Sequence, residues 1–100
     1  MNDQNKISGK IINHNSSFIG DLYFNEKITD LKINDSKDYN NIIIPGFIDL
    51  HCHGGNGFDV MEGSQSIIQM SMYHLRHGTT SIMPTTWTNT LESTISALKG

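Results

Sequence analysis

His51 and His53 are the residues in this chain best suited by type and spacing to hold a metal ion, and Asp49 precedes them at the same interval. On an extended strand successive side chains point to opposite faces. Asp49, His51 and His53 therefore share one face, and Ile48, Leu50 and Cys52 share the other. Two imidazoles on one face can converge on a single cation. The strand that would carry them starts in the apolar run 42–44, passes Pro45-Gly46 and ends at Gly54-Gly55-Asn56-Gly57. Glycines there let backbone and ligand come close. A bare His-x-His also suits a buried strand whose histidines are only hydrogen-bonded. The position favours ligation, because α/β folds gather their active sites at the C-terminal ends of strands. His51 and His53 are accordingly expected to be metal ligands. Asp49 lies deeper in the strand and reads as a structural carboxylate or one supporting a ligand. Cys52, on the opposite face, reads as a small buried apolar side chain.

The elements that must position these residues follow from periodicity. Residues 1–6 are expected to fray. Strands are expected at 7–12, 18–24 and 27–33, joined by turns at 13–17 and 25–26, as a small antiparallel unit. A polar linker at 34–40 leads to a strand over 42–53, whose apolar run suits a parallel strand buried on both sides. Residues 54–63 read as a loop. Ser64 is expected to cap a helix running to His77 and stopped by Gly78, with Ile68, Met72 and Leu75 on its apolar stripe and Ile67 beside it. Met70 and Met72 read as core fillers. His74 and His77 are expected on the helix surface, and His14 in a solvated turn. A second strand follows at 79–83, ended by Pro84. Asn89 and Glu92 form a capping-box pattern before a helix lined by Leu91, Ile95 and Leu98. The order β-α-β-α from residue 42 calls for parallel strands.

The run Pro45-Gly46-Phe47-Ile48-Asp49-Leu50-His51-Cys52-His53 resembles the first-strand signature of the amidohydrolase superfamily. Its continuation, His-Gly-Gly-Asn-Gly-Phe-Asp-Val-Met-Glu-Gly over 53–63, is similar to the N-acetylglucosamine-6-phosphate deacetylase family within that superfamily. So is Gly78-Thr79-Thr80-Ser81-Ile82-Met83-Pro84-Thr85-Thr86-Trp87-Thr88. The likeness runs from about Ile7 to the end and is strongest over 45–88. It implies a (β/α)8 barrel flanked by a small β-sandwich built from both chain ends. It also implies hydrolysis of an acetylated amino-sugar phosphate with a divalent metal, zinc first and iron or manganese next. In that family the general-base aspartate and the other ligands come from later strands. They are expected after Gly100, so no catalytic residue and no substrate contact is assigned within this chain. Family members vary at the His-x-His positions, so a two-metal or differently placed site stays open. A homo-oligomer is expected at full length. Rival readings are a cyclic amidase, disfavoured by the Gly-Gly-Asn-Gly-Phe-Asp and Pro-Thr-Thr segments, and a non-catalytic fragment that binds metal or a partner chain.

A barrel of this kind takes about 250 residues, and the sequence has 100. The expected organisation is a β-sandwich segment at 1–41 and the first two β/α units of the barrel at 42–100, inactive by themselves. The net charge of −3 and scattered Lys and Arg suggest neither a nucleic-acid footprint nor an anionic membrane partner, and none is expected. A single cysteine allows no intrachain disulfide and suits a reducing cytoplasm. No apolar run has the secretory or membrane-spanning pattern.

Overall fold

The computed structural model describes residues 4–35 and 38–100. Residues 1–3 of the expected frayed terminus and 36–37 of the expected linker lie outside the described residues. The chain divides into two compact units, Met1–Pro45 and Gly46–Gly100.

In the first unit, strands β1 (Asn5–Ile12), β2 (Ser17–Phe24), β3 (Ile28–Ile33) and β4 (Ile42–Ile43) form one sheet in the order β3-β2-β1-β4. The first three are antiparallel, as their spacing and polar turns require. Asn5 and Lys6, expected to fray, are already in β1, paired with Phe24 and Tyr23. β4 runs parallel to β1, with Ile42 opposite Lys10 and Ile43 opposite Ile11. Ile11, Leu22, Leu31 and Ile43 line an apolar depression on this sheet. Buried Asp21 accepts a hydrogen bond from Ser8 Oγ at 2.5 Å.

The single strand expected over 42–53 is thus two strands. Ile42–Ile43 joins β1, and β5 (Phe47–Cys52) starts afresh after Pro45-Gly46. Proline brings no backbone N–H for a ladder, so the apolar run breaks there.

In the second unit β5 is followed by a hairpin of β6 (Gly54–Gly55) and β7 (Phe58–Asp59) and a 3-10 turn (Val60–Glu62). Helix α1 (Ser64–Arg76), strand β8 (Thr79–Pro84) and helix α2 (Leu91–Leu98) complete it. β5 and β8 are adjacent and parallel, with Ile48 opposite Ser81 and Asp49 opposite Ile82. The segment read as a loop is ordered because Asn56 (φ 51°) and Gly57 (φ 82°) supply the two positive φ values of a tight hairpin turn. Cys52, Val60 and Met70 form the core, with Phe58, Ile67 and Ile82 against it.

Several local expectations shift. Ser64 is the first helical residue of α1 rather than its cap; Gly63 takes that place. Thr90, not Asn89, caps α2, its hydroxyl accepting from the Ser93 amide at 3.1 Å. The inward stripe of α1 is Ile67, Met70, Ser71 and His74, while Ile68, Met72 and Leu75 are exposed. Met70 is fully buried, but Met72 is 45% exposed and fills no core. β5 is not covered on both sides: Ile48 and Leu50 are each 68% exposed. Among the described residues no helix is long and apolar enough to cross a membrane.

Candidate metal centre

β5 carries His51 and its successor His53 to the end of the strand, beside the β6–β7 hairpin. The pleat puts both rings on one side. Their Nε2 atoms lie 3.0 Å apart, with ring centroids at 4.7 Å and planes at 88°. Two nitrogens sharing a tetrahedral zinc at about 2.0–2.1 Å would be about 3.4 Å apart. The observed pair is close to that spacing and both rings face solvent, so the arrangement suits a shared cation.

The other nitrogen of His53 has a defined partner. Nδ1 lies 2.8 Å from the carbonyl oxygen of Thr85, at the end of β8. A carbonyl only accepts, so Nδ1 carries the proton and Nε2 keeps its lone pair. His51 Nε2 then donates to His53 in the absence of a cation, and a shared ion would replace that bond. Thr85 is itself tied down: its amide donates to Cys52 O at 2.7 Å and its hydroxyl to Met83 O at 2.9 Å. The Pro84-Thr85-Thr86 segment suggested no such role from sequence, because the contact uses main chain and depends on strand register.

Asp49 is half-buried, and its Oδ1 accepts from the His51 backbone amide at 3.1 Å. It steadies the strand rather than an imidazole. Cys52 is buried and free, as expected of a small apolar side chain. His14 is exposed in its turn. His77 is a surface residue with Nδ1 2.9 Å from Tyr73 O.

His74 is not on the surface. Its Nε2 lies 3.0 Å from Gly54 O and 3.5 Å from Cys52 Sγ, directly under the glycine hairpin. A Cβ on Gly55 would sit 2.5 Å from that nitrogen. The signal was present in the stripe 67, 70, 71, 74, which spaces a polar residue with three that face inward.

Asp59 closes the other side. It caps the 3-10 turn through the Met61 amide (2.8 Å), and Glu62 Oε1 accepts from the Asp59 amide (2.8 Å). Its Oδ1 also accepts from the Trp87 indole N–H at 3.0 Å. The Met61 amide, the Trp87 N–H and the nearby His53 together hold its carboxyl below the usual aspartate range, against the opposing pull of partial burial. Among the described residues no group of three or more His, Cys, Asp or Glu is placed to hold an ion.

Two adjacent parallel strands with two imidazoles beside the end of one of them put these histidines where α/β folds gather their active sites. No family model matches the chain. Similarity to individual proteins is nonetheless specific, and it falls on amino-sugar phosphate deacetylases. The chain is 39% identical over 59 residues to the N-acetylgalactosamine-6-phosphate deacetylase of Escherichia coli O157:H7, covering 58% of this chain and 16% of that protein. It is 43% identical over 49 residues to the N-acetylglucosamine-6-phosphate deacetylase of Bacillus subtilis, covering 48% and 12%. It is 35% identical over 81 residues to that of Danio rerio, covering 77% and 18%. The chain therefore spans less than a fifth of the length of the curated relatives it matches. In fold it matches a mutant N-acetyl-D-glucosamine-6-phosphate deacetylase from Mycobacterium smegmatis, solved in complex with N-acetyl-D-glucosamine-6-phosphate. The TM-score is 0.78 at 16% identity, over 95% of this chain and 28% of that one. The resemblance read from residues 45–88 is thus matched in both sequence and fold: this is a deacetylase-like, mixed α/β chain.

Proposed function

We propose that this chain supplies the first metal-binding strand of a hydrolase that removes the acetyl group from N-acetylglucosamine 6-phosphate, giving glucosamine 6-phosphate and acetate. The observation that carries the reading is the His51–His53 pair, its Nε2 atoms 3.0 Å apart at the end of β5, with the His53 tautomer set by Thr85. On this reading β5-α1-β8-α2 are the first two units of a (β/α)8 barrel, and β1–β4 belong to a small β-sandwich. His51 and His53 would hold a divalent cation, zinc before iron or manganese. When bound, such a cation lowers the pKa of a water and polarises an acetyl carbonyl.

This chain's residues orient and support. His53 presents its lone pair, Thr85 keeps the proton on the far nitrogen, and Asp49 holds the His51 backbone. Water adds to the acetyl carbon, the carbon–nitrogen bond breaks, and the amine leaves with a proton. The carboxylate that moves that proton is assigned outside these 100 residues, as are the remaining ligands, because catalytic zinc sites usually have three protein ligands and a water. The working protein is proposed to be a cytoplasmic homo-oligomer.

The test is acetate release from N-acetylglucosamine 6-phosphate with added zinc, iron or manganese and with a chelator. The galactosamine epimer is assayed alongside, since the E. coli O157:H7 relative is named for it. The complete enzyme should turn over and these 100 residues alone should not. In the complete enzyme His51→Ala or His53→Ala should lower metal occupancy and activity together. Full activity in those variants would overturn the reading.

A further inference from the structure

The His74 imidazole is enclosed by the residues on either side of His53. Its Nε2 is 3.0 Å from Gly54 O, 3.5 Å from Cys52 Sγ, and so close to Gly55 that a Cβ there would stand 2.5 Å away. Because a carbonyl only accepts, Nε2 carries a proton and donates to Gly54 O. That carbonyl directly follows His53. The His53 carbonyl is held in turn by the Val60 amide at 2.9 Å. Two consecutive carbonyls are thus pinned, one from the turn and one from α1. Cys52 offers Gly54 O only a long contact from a weak donor, at 3.4 Å. A residue that merely filled this space would need no N–H. The fixed backbone is also what lets the His53 ring reach Thr85 O and leave its other nitrogen free.

Resting on the metal reading of His51 and His53, we propose that His74 is the positioning residue that holds His53 in its metal-accepting orientation, acting through the Gly54 carbonyl. Supporting partners of this kind typically change metal affinity by about 10–100-fold when lost.

The experiment compares the complete enzyme, which carries the remaining ligands, with its His74→Gln, His74→Phe and His51→Ala variants. Gln can place an N–H near the Nε2 position, whereas Phe fills the space without one. Cobalt(II) binding is read from visible absorption, folding from circular dichroism. The tautomers of His74 and His53 are read from 15N-detected imidazole couplings in metal-free protein. His74→Phe should weaken cobalt binding about 10-fold or more, and His74→Gln only a few-fold. His53 should lose its preference for the Nδ1–H form in the Phe variant and keep it in the Gln variant. A general loss of stability would move the melting curve without separating the two. Equal cobalt affinity and an unchanged His53 tautomer in the Phe variant would overturn the proposal. If the Phe variant does not fold, the unsubstituted protein still decides, since a His74 protonated at Nδ1 alone excludes the Gly54 contact. Cobalt binding unaffected by His51→Ala, or absent throughout, would sink the metal reading. The metal-free tautomers would then still report on His74.

Discussion

A histidine ring offers two nitrogens, and the partner of one decides what the other can do. At His53 that partner is a main-chain carbonyl, so no substitution at Thr85 removes it directly. Asp59 gives a cleaner handle. Its carboxylate joins the 3-10 turn to Trp87, the only tryptophan in the sequence, so indole fluorescence reports on this one contact. The Met61 amide, the Trp87 N–H and His53 lower its folded-state pKa. The deprotonated form therefore binds these partners better in the folded chain. The resulting stabilisation is fully present above the unfolded value of about 3.9 and is lost as pH falls through the lower folded value. Trp87 emission should stay constant from neutral pH down to the carboxylate range and change only below it. Asp59→Asn should abolish that acid transition. A transition unchanged in the Asn variant would assign it to another group.

At the scale of single elements, caps and turns separate what pattern suggests from what geometry uses. Asn89 and Glu92 have the spacing of a capping box, yet Thr90 is the cap, its hydroxyl accepting from the Ser93 amide, and Asn89 Oδ1 accepts from the Thr90 amide at 2.8 Å. Thr90→Ala should cost about 1 kcal/mol in denaturant unfolding, within the usual 0.5–2 kcal/mol range for a lost cap. Asn89→Ala should cost less, and the reverse order would restore the sequence-based cap. The hairpin makes a second case. Gly55→Ala brings a methyl into the His74 imidazole, so it should destabilise the protein and displace that ring. In a His74→Ala background, where the methyl meets no ring, the added cost of Gly55→Ala should shrink. A double-mutant cycle measures the difference.

Across the whole chain, apolar surface exceeds what its elements cover. Ile48 and Leu50 of β5 and Leu91 and Leu98 of α2 are each more than two-thirds exposed, the last two at 76% and 70%. β5 pairs with β8 alone, so its ladder has a free edge among the described residues. Apolar patches and open edges of this kind drive association. The isolated 100-residue chain should therefore self-associate with rising concentration in sedimentation velocity. Ile48→Thr with Leu50→Gln should reduce that association. A chain monomeric across the whole concentration range would show the faces to be tolerated in water.

The order and type of β1, β2, β3, α1, β8 and α2 were legible because they rest on local rules. Alternation in 7–33, the helical stripe before Gly78 and the β-branched run at 79–83 each act over a few residues. The shared face of His51 and His53 was legible for the same reason, since the pleat alone puts them there. What the tertiary structure decided depends on partners distant in sequence. Pro45 divides an apolar run that reads as one strand, and its first half finds β1 more than thirty residues earlier. α1 carries apolar side chains on two faces, and periodicity alone does not say which is buried. Packing against Cys52 and Val60 chose the Met70 face and brought His74 with it. The proton on His53 is set by Thr85, thirty-two residues later, through a backbone oxygen that no side-chain pattern encodes. Local periodicity therefore placed the two imidazoles, and long-range register and packing supplied the groups that orient them.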